Sequence, residues 1–103
     1  MELKVTRWEK DNPPTEKELR TIYKAEGLTP YTWSNGPGDS YAAHMHGYHK
    51  VIMVVRGSIS WVLPDLGMRI ETGPGDRLDL PGGTVHAADV GADEVTCLEG
   101  HKG

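Results

Sequence analysis

Turn-forming residues interrupt this sequence at short intervals from position 29 onward, and this punctuation constrains the fold more than any other feature. Glycine or proline marks five bends in that part of the chain, at 34–38, 56–58, 64–67, 73–75 and 81–83. These residues favour tight turns and interrupt regular elements, so the segments between them are expected to be short. Short strands with such even punctuation are typical of a β-sandwich or β-barrel.

The segments between these bends predict strands. Eight are expected, over residues 30–33, 41–46, 50–55, 59–63, 68–71, 77–80, 85–90 and 94–99. The bend at 56–58 is predicted to form a hairpin between its two neighbouring strands. Both faces of the strand 50–55 are apolar, which predicts burial on one side in the barrel interior and on the other under a covering element or a partner subunit.

One segment before these strands has the pattern of a helix. Thr15 and Glu18 form a capping box and Gly27 stands at the expected stop, so a helix is predicted over residues 15–26. Its apolar residues recur at i, i+3 and i+4 and form one stripe: Leu19, Ile22 and Tyr23. That stripe is expected to dock on the rest of the protein.

The chain is predicted to be a single all-β domain over residues 1–103. Its length of 103 residues suits one compact domain, and no internal repeat, low-complexity tract or linker is visible. A short β-prone strand and the helix are placed in 1–28, and the barrel in 29–100.

Charge and composition exclude several classes of partner. The formal net charge is −4 and the basic residues form no stripe, so a nucleic-acid partner is not expected. No apolar run approaches the roughly 18–20 residues of a membrane span. Cys97 is the only cysteine, so an intrachain disulfide is impossible. The first five residues lack the apolar core of a signal peptide, and a cytoplasmic location is expected.

Three histidines have the spacing of a metal site. His44 and His46 are separated by one residue in an extended segment, so their side chains are predicted to share one face, about 6–7 Å apart along the chain. His86 follows a Pro-Gly-Gly turn and is placed to enter from a neighbouring strand. Imidazole is a ligand for Zn, Ni, Cu, Fe and Mn, so the ligand type does not select the metal.

Glycines frame these histidines in two blocks. The first block reads Gly38-x5-His44-x-His46-x3-Lys50-x6-Gly57, and the second reads Gly75-x5-Pro81-x-Gly83-x2-His86-x3-Val90. The blocks resemble the two motifs of the cupin superfamily, G-x5-H-x-H-x3or4-E-x6-G and G-x5-P-x-G-x2-H-x3-N. The departures are at Lys50 and Val90. Together the blocks span residues 38–90, about half of the chain.

The resemblance implies a jelly-roll barrel, or double-stranded β-helix, in a small single-domain cupin. It also implies a divalent transition metal held by His44, His46 and His86, with a carboxylate of the first motif as a further ligand. Lys50 stands where that carboxylate is expected. An ammonium group close to a divalent cation is strongly repelled in a medium of low dielectric constant.

Three arrangements reconcile Lys50 with the histidines. In the first, Lys50 turns away and leaves a three-histidine metal site with open positions. In the second, His49 replaces the carboxylate through a local bulge, although strand alternation argues against this. In the third no metal is bound, and Lys50 either provides the cation that binds an anionic ligand or acts as a neutral amine.

Two functional classes follow from these arrangements. One is a metal-dependent enzyme that acts on a small polar molecule, with Lys50 as a catalytic electrostatic or acid–base group. The other is a non-catalytic barrel that binds a small molecule, especially an anion, or a metal. The fold does not choose between the two. A homodimer is expected, because small cupins commonly dimerise and the second apolar face of the strand 50–55 favours it.

The remaining candidate residues have simpler interpretations. The aromatic residues could line a pocket, but core packing also explains them: Trp33, Tyr41, Tyr48 and Trp61. Cys97 is interpreted as a small buried hydrophobic residue rather than a nucleophile. His101, near the C-terminus, is expected to be disordered or solvated.

Overall fold

The computed structural model describes residues 2–103, which form nine strands and one α-helix. The strands are β1 (Lys4–Thr6), β2 (Tyr31–Asn35), β3 (Ser40–His44), β4 (His49–Arg56), β5 (Ile59–Leu63), β6 (Met68–Thr72), β7 (Arg77–Leu80), β8 (His86–Val90) and β9 (Val95–Lys102). The helix α1 (Glu16–Ala25) lies between β1 and β2, and a short 3-10 helix at Pro64–Leu66 connects β5 to β6. Strands therefore dominate the chain from position 31 onward, as the spacing of the bends predicts.

The strands form two antiparallel sheets. The five-stranded sheet has the order β1-β7-β4-β9-β2, and the four-stranded sheet has the order β3-β8-β5-β6. One apolar core contains buried residues from strands of both sheets, including Ile52 and Val54 of β4, Trp61 of β5 and Leu78 of β7. The main core therefore lies between the sheets, and the expected all-β barrel with one helix is confirmed.

A second apolar cluster covers the outer face of the five-stranded sheet. Val51, Met53 and Val55 of β4 point to this face and pack with Leu19 and Tyr23 of α1. The Tyr23 hydroxyl donates to the Val51 carbonyl at 2.8 Å, which attaches the helix to the sheet backbone. The predicted burial of β4 on both sides is confirmed, and the covering element is α1.

This result removes one argument for a homodimer. The apolar outer face of β4 is buried by the helix of the same chain, so it offers no surface to a partner subunit. The homodimer stays a prediction.

The ends of α1 follow the sequence signals. Thr15 is the N-cap, and its hydroxyl accepts from the Glu18 amide at 3.1 Å, while the Glu18 carboxylate accepts from the Thr15 amide at 3.1 Å. At the other end the amide of Leu28 donates to the carbonyl of Tyr23 at 2.9 Å and that of Gly27 to the carbonyl of Lys24 at 3.0 Å. This pairing is a Schellman motif, which satisfies carbonyls that the helix leaves free.

The predicted hairpin at the bend 56–58 is wrong. β4 lies between β7 and β9, so both of its edges are already paired, and β5 belongs to the other sheet. The bend therefore carries the chain from one sheet to the other. Gly57 has φ +80°, and a Cβ atom there would lie 2.2 Å from the carbonyl oxygen of Glu94. Only glycine fits this crossing without displacing the backbone.

Several predicted strand ends also differ from those in the structure. β2 continues to Asn35, within the segment interpreted as a turn, and β3 ends at His44 rather than at position 46. β9 extends to Lys102, which pairs with His49. His101 therefore lies in β9 opposite Lys50 and is not disordered, while its exposure agrees with the other half of the expectation, a solvated residue. No helix in the described range is long and apolar enough to cross a membrane.

The contact between α1 and the sheet predicts the effect of Leu19→Ala. Leu19 is fully buried in the outer cluster, and truncation of such a leucine leaves a cavity that costs about 2–5 kcal/mol of the free energy of unfolding. Urea denaturation measures this loss. Lys17→Ala, on the exposed face of the same helix, is the control and is expected to change the stability by less than about 0.5 kcal/mol. Equal effects of the two substitutions would contradict the docking of α1.

Candidate functional site

Two neighbouring strands of the four-stranded sheet bring His44 and His86 together. His44 ends β3, His86 begins β8, and the two residues are directly opposite in the antiparallel pairing. Tyr41 pairs with Ala88 and His44 pairs with His86. Between these two pairs, β3 advances by three residues and β8 by only two. This β-bulge places His44, rather than its neighbour Ala43, opposite His86. Directly opposed residues point to the same face of a sheet, so the bulge aims both rings at one place.

Close backbone contact positions His46 beside them. The amide of Gly83 donates to the carbonyl of His46 at 2.7 Å. A Cβ atom on Gly82 would lie 3.2 Å from the carbonyl carbon and oxygen of Gly47, so the two segments approach more closely than side chains normally allow. The turn before His86 therefore also holds the segment that carries His46.

The three imidazoles form one cluster. The ring centroids of His44 and His86 are 4.4 Å apart, those of His44 and His46 4.9 Å, and those of His46 and His86 5.8 Å. One nitrogen from each ring lies within 4.8 Å of the others. His86 is buried, His46 is partly exposed and His44 is exposed, so the cluster reaches from the interior to the surface. The predicted convergence of the three side chains is confirmed.

Hydrogen bonds orient two of these rings. Nδ1 of His44 lies 2.8 Å from the carbonyl oxygen of Ala42, and Nδ1 of His86 lies 2.9 Å from that of Thr84. A carbonyl oxygen only accepts, so both Nδ1 atoms carry the proton and both Nε2 atoms keep a free electron pair. Nδ1 of His46 lies 3.2 Å from the Tyr48 hydroxyl, which can donate or accept. Such hydrogen bonds to the second ring nitrogen are typical of histidines that bind metals.

The surroundings also favour uncharged rings. Burial lowers the pKa of His86, only partly offset by its hydrogen bond to Thr84, and the neighbouring His44 and Lys50 lower it further. Burial and the charge of Lys50 likewise lower the pKa of His46. Imidazole binds a metal in its neutral form, so both shifts favour metal binding.

A cavity of about 220 Å³ adjoins the cluster. Its lining residues come from both sheets: Tyr31, Trp33, Tyr41, His44, Lys50, Trp61, His86, Ala88 and Glu99. This volume is below the roughly 300–1,000 Å³ of pockets for drug-sized ligands, which favours a small ligand. Three of the four aromatic residues singled out from the sequence line this cavity. Tyr48 does not, and instead stacks on His46 with ring centroids 5.0 Å apart.

Lys50 points into this cavity and does not turn away. It is 9 % exposed, and its Nζ atom lies 3.4 Å from Oε2 of Glu99 on the neighbouring strand β9. The arrangement in which Lys50 turns away, the first of the three, is therefore wrong. β4 alternates, so Lys50 shares the interior face with Ile52 and Val54.

The alternation also excludes His49 from the cluster. His49 points to the other face of β4, where its Nδ1 atom accepts a hydrogen bond from the amide of Gly82 at 2.8 Å. It lines a separate groove with residues of β1 and β7. The arrangement in which His49 replaces the carboxylate is therefore wrong.

Glu99 is the functional candidate that no motif in the sequence singles out. Its carboxylate is 5 % exposed and accepts from the Tyr31 hydroxyl at 2.5 Å and from Trp33 Nε1 at 3.2 Å. It also lies 2.7 Å from Nε2 of His101. Burial alone raises the pKa of Glu99, but the hydrogen bonds from Tyr31 and His101 and the charge of Lys50 outweigh it and lower the pKa overall.

The alternation of side chains along β9 could have identified Glu99 from the sequence as an interior residue. Val95 and Cys97 belong to the core between the sheets, and Glu99 is the next residue on that face because strand side chains alternate. A carboxylate at an interior position indicates a paired or functional group. Cys97 itself is fully buried, and burial raises the pKa of its thiol to about 12. The interpretation of Cys97 as a buried hydrophobic residue is confirmed.

Comparisons of the sequence alone find no relative: no protein-family model matches it, and no curated protein does either. Solved structures do match. The polyketide cyclase RemF from Streptomyces resistomycificus is similar, with a TM-score of 0.63 and 28% identity over 72% of this chain and 54% of that chain. The DMSP lyase DddQ from Ruegeria pomeroyi DSS-3 gives a TM-score of 0.66 and 22% identity over 74% of this chain and 38% of that chain.

A third structure covers nearly all of the chain. A cupin superfamily protein from Desulfitobacterium hafniense DCB-2 gives a TM-score of 0.63 and 13% identity over 97% of this chain and 76% of that chain. The chain thus spans about half of the cyclase and less than half of the lyase. The two facing sheets, the cluster of histidines at their mouth and these structural matches agree with the motif resemblance, and the chain has the fold of a small cupin.

Proposed function

We propose that His44, His46 and His86 hold one divalent transition-metal ion at the mouth of the cavity, and that a small polar molecule binds beside it. The observation that carries this proposal is the convergence of three ring nitrogens within 4.8 Å of one another. The hydrogen bonds of His44 and His86 to backbone carbonyls support it, because they leave Nε2 of both rings free to bind the ion.

The chemistry of the donor set fits such an ion. Three neutral imidazoles accept Zn, Ni, Fe, Mn or Cu, and the donor type does not choose among them. In the described range the group of potential ligands comprises the three histidines and no carboxylate or thiol. Three protein ligands leave positions for water or substrate, as in catalytic metal sites. When bound there, a divalent ion supplies a Lewis acid that polarises a substrate oxygen or acidifies a bound water.

The protein groups around the cavity have separate roles in this proposal. Lys50 is the catalytic candidate, since its ammonium group faces the cavity and can donate a proton or a hydrogen bond to a bound molecule. Glu99 positions Lys50 through their ion pair. The enzymatic names of two similar structures, a polyketide cyclase and a DMSP lyase, support a catalytic function. Their substrates are not transferred to this chain.

A second candidate function follows from the position of Lys50. A cation on the cavity wall, close enough to depress the pKa of His46 and His86, opposes a divalent ion at the same place. In this alternative the barrel binds a small anion without a metal and without turnover. Lys50 and the histidines then supply the charge and the hydrogen bonds.

Substitution of single histidines tests the metal centre. After removal of metal by a chelator, the protein is expected to bind one equivalent of zinc in calorimetric titration. His44→Ala and His86→Ala each remove one of three ligands and are expected to weaken zinc binding by more than about 100-fold, beyond the 10–100-fold effect of losing a supporting residue. His49→Asn is the matched control, because it removes an imidazole that faces the outer groove and keeps an acceptor for the Gly82 amide. Zinc affinity that survives in the His44 and His86 variants would refute the ligand set.

Neutralisation of Lys50 distinguishes the two candidate functions. If the metal centre is correct, the wild-type protein binds zinc already, and Lys50→Gln improves the affinity by about tenfold or less. If the metal-free alternative is correct, the wild-type protein binds zinc weakly and Lys50→Gln improves the affinity by more than about 100-fold, because it removes the repelling charge. Zinc titration of both proteins measures this, with circular dichroism as the check that the variant is folded.

A further inference from the structure

We propose that the cavity selects a small molecule with one anionic end and an apolar body. This inference deepens the proposed function and rests on its premise that the cavity binds a ligand. The proposal depends on which polar groups of the cavity wall already form hydrogen bonds within the protein and which can still bind a ligand.

The aromatic walls have no free hydrogen-bond donor to offer. Trp61 Nε1 donates to Oγ1 of Thr72 at 3.1 Å, and the Tyr41 hydroxyl donates to the side chain of Asn35. The donors of Trp33 and Tyr31 are committed to Glu99. These four side chains therefore present mainly ring carbon to the cavity, and Ala88 adds a methyl group. Such a surface favours an apolar ligand body, because burial of apolar area is favourable and an unpaired polar group there is costly.

Lys50 differs from these residues because its ammonium group has more N–H donors than its contacts within the protein engage. Within residues 2–103 its charged partner is Glu99, 3.4 Å away. An ammonium group has three N–H donors, so at least two of them are not engaged by that contact. Glu99 already has three other partners, in Tyr31, Trp33 and His101. Lys50 is 9 % exposed and lies on the cavity wall, so its ammonium group can direct N–H donors that Glu99 does not engage toward a ligand in the cavity.

An anionic oxygen is the group that fits this position. Hydrogen bonds between an ammonium group and an anion are about twice as strong as those between neutral groups. A cation held by the histidines adds to the preference, since His44 and His86 line the same cavity. The negative charge of Glu99 on the same wall repels a second anionic group in a space of about 220 Å³. The cavity is therefore matched to monoanions rather than dianions.

Benzoate, which combines one carboxylate with an apolar ring, is the probe for this proposal. Benzyl alcohol is the neutral control of nearly the same shape. We expect benzoate to bind at least about tenfold more tightly than benzyl alcohol, the size expected for a hydrogen bond to a charged group. We also expect butyrate to bind more tightly than succinate, which has the same number of carbons and a second charge. Titration followed by calorimetry or by NMR shifts measures all four affinities.

Two substitutions are expected to act in opposite directions. Lys50→Met removes the donor, so benzoate affinity falls by about tenfold or more while benzyl alcohol binding is unchanged. Glu99→Gln removes the competing acceptor, so benzoate binds more tightly and succinate is less disfavoured. If Lys50→Met fails to fold because Glu99 is left unpaired, the double variant Lys50→Met/Glu99→Gln replaces it and is compared with Glu99→Gln, so that the two proteins differ only at Lys50. Equal binding of benzoate and benzyl alcohol to the wild-type protein, or unchanged selectivity in the folded Lys50 variant, would overturn the proposal.

The same titrations with zinc-loaded and zinc-stripped protein separate this proposal from the metal centre. Selectivity that depends on Lys50 in the stripped protein, combined with failure to bind zinc, supports the ligand class and refutes the metal centre. Zinc binding that depends on His44 and His86, combined with no preference for benzoate, refutes the ligand class and leaves the metal centre in place.

Discussion

The geometry of the site depends on the close contact of two backbone segments. Gly47 and Gly82 approach to a distance that a side chain would obstruct, and the amide of Gly83 binds the carbonyl of His46. This contact joins the segment between β3 and β4 to the segment between β7 and β8, and the adjoining strands β3 and β8 hold His44 opposite His86. Main-chain contacts thus bring His46 and His86, which are 40 positions apart, into one cluster. The backbone therefore fixes most of the arrangement of the imidazole rings.

The interior charge depends on an ion pair that joins the central strand of the five-stranded sheet, β4, to its neighbour β9. Lys50 on β4 and Glu99 on β9 are diagonal neighbours, because Lys50 pairs with His101 and Ile52 with Glu99. Removal of both charges from water is costly, and the extra hydrogen bonds to Glu99 offset part of that cost. Both partners of this ion pair line the same cavity as His44 and His86. The ammonium group remains available to a ligand.

The helix could be predicted because the capping box at Thr15 depends on residues close in sequence. The fold and the joining of His86 to His44 and His46 could be predicted from the resemblance of two separate blocks to the cupin motifs. The crossing at Gly57 could not be predicted in the same way, since a hairpin and a passage between sheets use the same type of bend. Which occurs depends on whether both edges of β4 are already paired. Glu99 is a non-local case, because its partners come from strands β2, β4 and β9.

The three rings of the histidine cluster are not equivalent in their second hydrogen bond. The backbone carbonyls beside His44 and His86 dictate one tautomer, while the Tyr48 hydroxyl beside His46 permits both. An incoming cation would therefore meet two donors whose electron pairs are already exposed. If a metal were held by Nε2 of His46, the proton of that ring would lie on Nδ1 and be donated to the Tyr48 hydroxyl, which would then be the acceptor in this contact.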